Sequence, residues 1–273
     1  VSISDSDFQF VRELLVARSG IVLEPGKEYL LEARLGPFVR DLGVPDVSGV
    51  IGLLRRSRQG ELATRVVDAL TTNETSFFRD AHPFDSLRTT IVPELIRRNA
   101  STRTLRIWSA ACSTGQEPYS IGMVLLEHFP ELASWNVRIL ATDLAETVLA
   151  RARAGRYRQL EVNRGLPASY LAKYFERDGL EWKVVDALRQ KVEVRALNLI
   201  GDWGPMPRFD VVFLRNVLIY FDVETKRRIL ARVRQQLQPE GWLFLGSAET
   251  TLQIDDSFRR VPIERGQAYR LAA

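Results

Sequence analysis

The chain has 273 residues, 45% of them hydrophobic and 26% charged, and a formal net charge of +4 from an excess of arginine. These are the proportions of a globular protein, and no apolar run approaches the roughly 18 residues that a membrane-spanning helix requires. The charge is too mild to imply a nucleic acid partner, and a single cysteine excludes an internal disulfide.

No charged-then-apolar leader precedes the first helix, so secretion is not expected, and Val1 reads as the trimmed start of a longer chain. Residues 4–72 are helical in pattern. Ser4 and Asp7 form a capping signal before Phe8, Val11, Leu14 and Leu15, and Gly20 is a stop. A second helix starts at Pro25, with Tyr29, Leu30, Ala33 and Phe38 on one face, and ends at Gly43. Shorter helices are expected over 50–54 and 62–70, which makes residues 1–72 a small all-α N-terminal domain.

Residues 73–103 read as a linker, and from 104 to 273 the pattern alternates. Strands at 105–111, 136–142, 210–214 and 242–246 are interleaved with helices at 117–128, 145–153 and 223–237, predicting a Rossmann-like α/β domain with a parallel sheet. Within it, 180–185 and 191–194 alternate with period two, which predicts a small antiparallel β insertion spanning about 155–197. The arginines at 151, 153, 156, 158 and 164, and the basic residues between 226 and 234, read as solvated faces.

The most informative stretch runs from Arg106 to Ser120. An apolar strand enters the small-residue turn Cys112-Ser113-Thr114-Gly115, and a helix follows whose start carries Glu117 and Pro118. That layout brings backbone N–H groups and a helix N-terminus to the carboxyl edge of a sheet. Asp143, at the tip of the second strand, is placed to accept hydrogen bonds from ribose hydroxyls. Only one glycine is present, so a pyrophosphate cradle is not expected; a nucleoside ligand without phosphate fits better, S-adenosylmethionine foremost. The alternative is an ordinary strand-to-helix turn with Asp143 as a helix cap. Cys112, at the end of an apolar strand and remote from both histidines, His82 and His128, reads as a buried inert thiol, and no metal site is expected.

Four clusters stand in order along the chain: Leu70-Thr71-Thr72-Asn73-Glu74-Thr75-Ser76-Phe77-Phe78-Arg79-Asp80; the turn with Glu117-Pro118-Tyr119-Ser120; Phe209-Asp210-Val211-Val212-Phe213-Leu214-Arg215-Asn216-Val217-Leu218-Ile219-Tyr220-Phe221; and Gly241-Trp242-Leu243-Phe244-Leu245-Gly246-Ser247-Ala248-Glu249. In this order and spacing the chain resembles, over nearly its whole length, the CheR-type chemoreceptor glutamate methyltransferases. The resemblance implies a class I methyltransferase domain with a β-subdomain, preceded by a helical domain. It also implies methyl transfer from S-adenosylmethionine to glutamate side chains on the cytoplasmic coiled coil of a chemoreceptor, for sensory adaptation. The products would be a γ-methyl ester and S-adenosylhomocysteine, and the enzyme would work in the cytoplasm without membrane insertion.

By the same resemblance, Asn73, Thr75 and Arg79 are expected at the methionine end of the cofactor, with Arg79 on its carboxylate. Glu117 is expected at the α-ammonium or orienting groups near it, Asp143 at the ribose, and Asn198 and Leu199 along the adenine; Arg215 and Asn216 are also expected to bind the cofactor, at the sheet edge that faces the reacting centre. Asn216 and Tyr220 are the catalytic candidates; Tyr220 reads equally as core. The sequence departs from the family at Gln116, where a second acid is common. The segment 175–180 is short and holds one glycine, so dependence on a C-terminal receptor peptide is not expected. Arg55, Arg56 and Arg58 of the helical domain are candidate receptor contacts. The competing readings are a methyltransferase for another acceptor and a regulatory module that binds the cofactor without turnover.

Overall fold

A computed structural model describes residues 3–263 and 266–272. The chain divides into two compact units, Val1–Thr72 with Tyr220–Thr225, and Asn73–Ile219 with Lys226–Ala273.

The first unit is built on four helices, α1 (Asp5–Ser19), α2 (Glu28–Leu42), α3 (Val47–Arg56) and α4 (Glu61–Leu70). Ser4 caps α1 by accepting the Asp7 N–H at 3.1 Å, and Asp46 caps α3 through Gly49 at 2.9 Å. The core is made by Phe8, Val11, Leu14 and Leu15 of α1 with Leu31, Leu35, Phe38, Val50, Ile51, Leu54, Val66 and Val67. The buried stripe of α2 therefore differs from the expected one. Phe38 is buried, but Tyr29 and Ala33 are exposed, and Leu31 and Leu35 take the inward positions. The helix begins at Glu28, after a Pro25-Gly26 turn, and Leu31, Leu35 and Phe38, at i, i+4 and i+7, form its inward stripe. The Val22 N–H donates to the Tyr220 carbonyl at 2.8 Å, so the Tyr220–Thr225 segment belongs to this unit.

The second unit is organised by one sheet. Its strands in chain order are β1 (Thr104–Ala110), β2 (Asn136–Asp143), then β3 (Arg156–Arg158), β4 (Phe175–Asp178) and β5 (Glu181–Val184) of a smaller sheet, then β6 (Val192–Ala196), β7 (Phe209–Leu214), β8 (Leu237–Leu245), β9 (Phe258–Ile263) and β10 (Gly266–Leu271). The large sheet runs β6-β2-β1-β7-β8-β10-β9. Its first five strands are parallel, and β10 and β9 close the far edge antiparallel. β7 is buried at every position and β1 over its last four, as expected of central strands covered on both faces. The chain order reverses between β1 and β7, so the crevice at their carboxyl ends is the switch point where such sheets bind ligands.

Three features depart from the sequence reading. Residues 191–194 do not pair with 180–185: β6 joins the large sheet parallel to β2, while β5 pairs with β3 and β4. The polar break between them is a helical turn, Asp186–Arg189, long enough to carry the chain across. The stretch read as a linker holds three helical pieces, His82–Ser86, Leu87–Ile91 and Val92–Arg98, of which the middle one is a π turn. Phe84, Leu87, Ile91, Val92 and Leu95 pack there into the core of the large sheet. Finally, β9 and β10 were not anticipated. Arg259, Arg260 and Pro262 make β9 look unlike a strand, but a sheet edge tolerates both charge and proline.

Candidate functional site

The site is assembled at the carboxyl edge of β1, β2 and β7. After β1 the backbone alternates through left-handed residues, with φ of 59° at Ala111, 51° at Ser113 and 94° at Gly115. At Gly115 a Cβ would lie 3.0 Å from the Ala152 Cβ and 3.1 Å from the Tyr157 hydroxyl, so both the dihedral and the space demand glycine. The turn is tied to its neighbours: Cys112 N–H donates to the Thr142 carbonyl at 2.8 Å, and Tyr157 O–H to the Thr114 carbonyl at 2.7 Å. The helix Gln116–His128 starts directly behind it. Gln116 is buried and accepts the Thr114 hydroxyl at 2.7 Å. A neutral side chain there avoids burying a second carboxylate beside Glu117.

Hydrogen bonds gather most of the expected cofactor residues. Ser113 is the hub: its N–H donates to the Asp143 carboxylate at 2.8 Å, and its hydroxyl to the Asn73 carbonyl at 2.9 Å. Asp143 also accepts the Ala145 N–H at 3.1 Å, and its own carbonyl accepts the Leu197 N–H at 2.8 Å, which sets Asn198 and Leu199 beside it. Burial pushes the Asp143 carboxyl above its ordinary range, and the backbone N–H donors offset only part of that. The Asn198 and Leu199 carbonyls both face the Trp203 indole N–H at 3.2 Å, so this backbone is fixed, and Leu199 is buried. Cys112 is buried, and desolvation raises its thiol well above the usual range, so it is an inert core residue.

A second group centres on Arg215. Its side chain is 1% exposed and pairs with Glu117 at 2.8 Å and Asp80 at 2.7 Å. It also donates to the Arg79 carbonyl at 2.9 Å. Glu117 accepts the Ser109 hydroxyl at 2.8 Å on its other oxygen. The guanidinium of Arg215 is therefore committed to protein partners at both terminal nitrogens, while its Nε is buried with no hydrogen-bond partner. Arg79 donates to the Glu74 carbonyl at 2.9 Å. Asn216 adopts φ 58° and donates its N–H to Glu249 at 2.7 Å. Thr75 is half-buried in the same segment. Tyr220 is half-buried but groups with the helical unit, and this network does not include it.

Four contributors escaped the sequence reading: Asp80, Ser109, Ser113 and Glu249. Glu249 is buried and accepts N–H groups of Gly246, Asn216, Val217 and Ile219, at 2.6, 2.7, 2.9 and 3.3 Å. A glutamate directly after the small residues of Gly246-Ser247-Ala248 was the available signal, since small residues mark where a carboxylate meets a turning backbone.

A parallel sheet ordered in this way, with an acid at the tip of β2 and hydrogen-bonding groups gathered at the switch point, is a Rossmann-like sheet of the class that binds nucleoside cofactors there. Residues 6–71 match the CheR methyltransferase all-alpha domain, and residues 73–267 match the CheR methyltransferase SAM binding domain. Chemotaxis protein methyltransferase 1 of Pseudomonas aeruginosa is 42% identical over 99% of both chains. Chemotaxis protein methyltransferase Cher2 of Pseudomonas putida is 39% identical over 99% of both chains, and a Vibrio parahaemolyticus chemotaxis protein methyltransferase is 38% identical over 99% of this chain and 98% of its own. The chain belongs to the CheR methyltransferase family.

The site fits S-adenosylmethionine. It brings together the carboxylates Asp143 and Glu117, the arginines Arg79 and Arg215, and neutral amide and hydroxyl groups, a donor set suited to a cofactor that carries ribose, carboxylate and ammonium groups. No helix among the described residues is long and apolar enough to cross a membrane.

Proposed function

We propose that this chain methylates glutamate side chains on the cytoplasmic methyl-accepting helices of chemoreceptors, in the cytoplasm, giving γ-methyl esters and S-adenosylhomocysteine. The reading is supported above all by full-length similarity to proteins named as chemotaxis methyltransferases. Asn73, Thr75 and Arg79 hold the amino-acid end of the cofactor, Glu117 its ammonium, Asp143 the ribose, and Asn198 and Leu199 the adenine. Arg215 acts from behind the site through its ion pairs, and Asn216 faces the acceptor.

The bound sulfonium supplies an activated methyl group. A glutamate acceptor has an ordinary pKa of about 4.3 and is ionised at neutral pH, so no general base is required of the protein. What remains is to orient the carboxylate about 3 Å from the methyl carbon and to exclude water. Neutral donors suit that approach better than another anion, which would stabilise the sulfonium ground state. Asn216 is such a donor. The β4–β5 hairpin turns on the two residues Gly179 and Leu180, and that short turn supports a form that works without docking a receptor's C-terminal peptide. In the helical unit Arg55 is bound to Asp7 at 3.1 Å, and Arg55 and Arg58 lie over the Phe10 ring at 4.4 and 4.8 Å, which leaves Arg56 as the more available receptor contact.

Peptide mapping of a receptor cytoplasmic fragment after incubation tests the assignment: glutamate-containing peptides gain the mass of one methylene per modified side chain. Modification at lysine, arginine or another acceptor contradicts it. Asn216→Ala is expected to lower kcat by roughly tenfold to a hundredfold with little change in cofactor affinity. Normal turnover in this variant removes Asn216 from the chemistry.

A further inference from the structure

The segment that carries Asn73, Thr75 and Arg79 ends in a strained turn. Phe78, Asp80 and Ala81 have φ of 48°, 65° and 42°, a region that side-chain-bearing residues avoid. Such a backbone persists only where its surroundings hold it. One hold is apolar. The Phe78 ring lies 5.2 Å from both Tyr170 and Phe84, and its N–H donates to the Ser120 hydroxyl at 3.0 Å. The other hold is charged. One nitrogen of the buried Arg215 guanidinium donates to both the Arg79 carbonyl and the Asp80 carboxylate, at 2.9 and 2.7 Å. Its opposite nitrogen is anchored on Glu117, which Ser109 of β1 fixes in turn. The turn bearing Arg79 is thus bolted to the sheet through one arginine, and Asp80 is the charge on the turn side of that bolt.

We propose that Asp80 is a positioning residue: by pairing with Arg215 it locks the backbone at Arg79 and so sets the Arg79 guanidinium where it takes the cofactor carboxylate. The inference rests on the assignment of Arg79 made above. Without the Asp80 charge, Arg215 keeps Glu117 but loses its ionic grip on the turn, and Arg79 must be ordered anew by each ligand carboxylate that binds. That cost falls only on ligands that use Arg79.

The test compares two ligands by titration calorimetry: S-adenosylhomocysteine, and its decarboxylated analogue, which lacks only the carboxylate. Both are titrated into the wild type, Asp80→Asn and Arg79→Met. Asp80→Asn is expected to weaken S-adenosylhomocysteine about tenfold and the analogue less than about twofold, while Arg79→Met abolishes most of the discrimination between them. Because both ligands meet the same preparation, loss of folded protein lowers both stoichiometries and leaves the ratio of the two constants unchanged. Equal weakening of both ligands by Asp80→Asn, or no weakening, overturns the positioning role while the Arg79 assignment stands. An unchanged ratio in Arg79→Met overturns the Arg79 assignment and the proposal with it.

Discussion

Asp143 and Cys112 sit at neighbouring strand ends, and burial favours the protonated form of both. Burial raises the Asp143 carboxyl from its ordinary 3.8, so it takes up a proton at a higher pH than a free aspartate does. The ribose-accepting role proposed for it needs the ionised form. S-adenosylhomocysteine affinity is therefore expected to fall as pH is lowered, with an onset above the ordinary carboxylate range, and Asp143→Asn to be weak and flat over the same range. An affinity profile in the wild type that stays level down to the ordinary range contradicts this. Cys112 is raised by the same desolvation, but its reactive form is the thiolate. It should resist iodoacetamide at neutral pH in the native protein and react once denaturant unfolds it; rapid native labelling, followed by mass spectrometry, argues against the burial.

Much of the candidate site was legible at this scale in that residues named from the sequence are brought together at the carboxyl edge of the sheet. Asp143 at the tip of β2 and Glu117 behind the turn are examples. Arg215 was legible as a candidate, but its ion pairs were not. Its partners, Asp80 and Glu117, lie 135 and 98 residues away in sequence, and nothing local announces them.

At the scale of elements, the loop after β7 is shaped by one carboxylate. Glu249 gathers four backbone N–H groups, and Gly246 gives the room for it: a Cβ there would lie 2.6 Å from the Asn216 Nδ2 and 2.7 Å from the Glu249 Oε2. Gly246→Ala is expected to destabilise the protein by about 2 kcal/mol, as overpacking a tight site does. It should also lower turnover, since Asn216 must move. Thermal unfolding and a methyl-transfer assay check the two, and an unchanged melting temperature contradicts the crowding. The elements that sequence patterning missed share a cause. β6 alternates as an edge strand does, and periodicity says nothing of which sheet it joins. The helical pieces over 82–98 contain Pro83, Pro93 and a Thr89-Thr90 pair, which disguise a helix whose Leu87, Ile91 and Leu95 are nonetheless spaced for one buried face.

Across the whole molecule, the two units match the two domains of one family, and the site is built within the second. On the proposed function, the chemistry falls to the sheet unit and receptor recognition to the helical one. The measurement that bears most directly on the account is transfer of radiolabelled methyl from S-adenosylmethionine to a chemoreceptor cytoplasmic fragment, followed by mild base. The account predicts label on the receptor that is released as volatile methanol. Base-stable label would place the methyl on another acceptor, and tight cofactor binding with no transfer would make the chain a regulatory module.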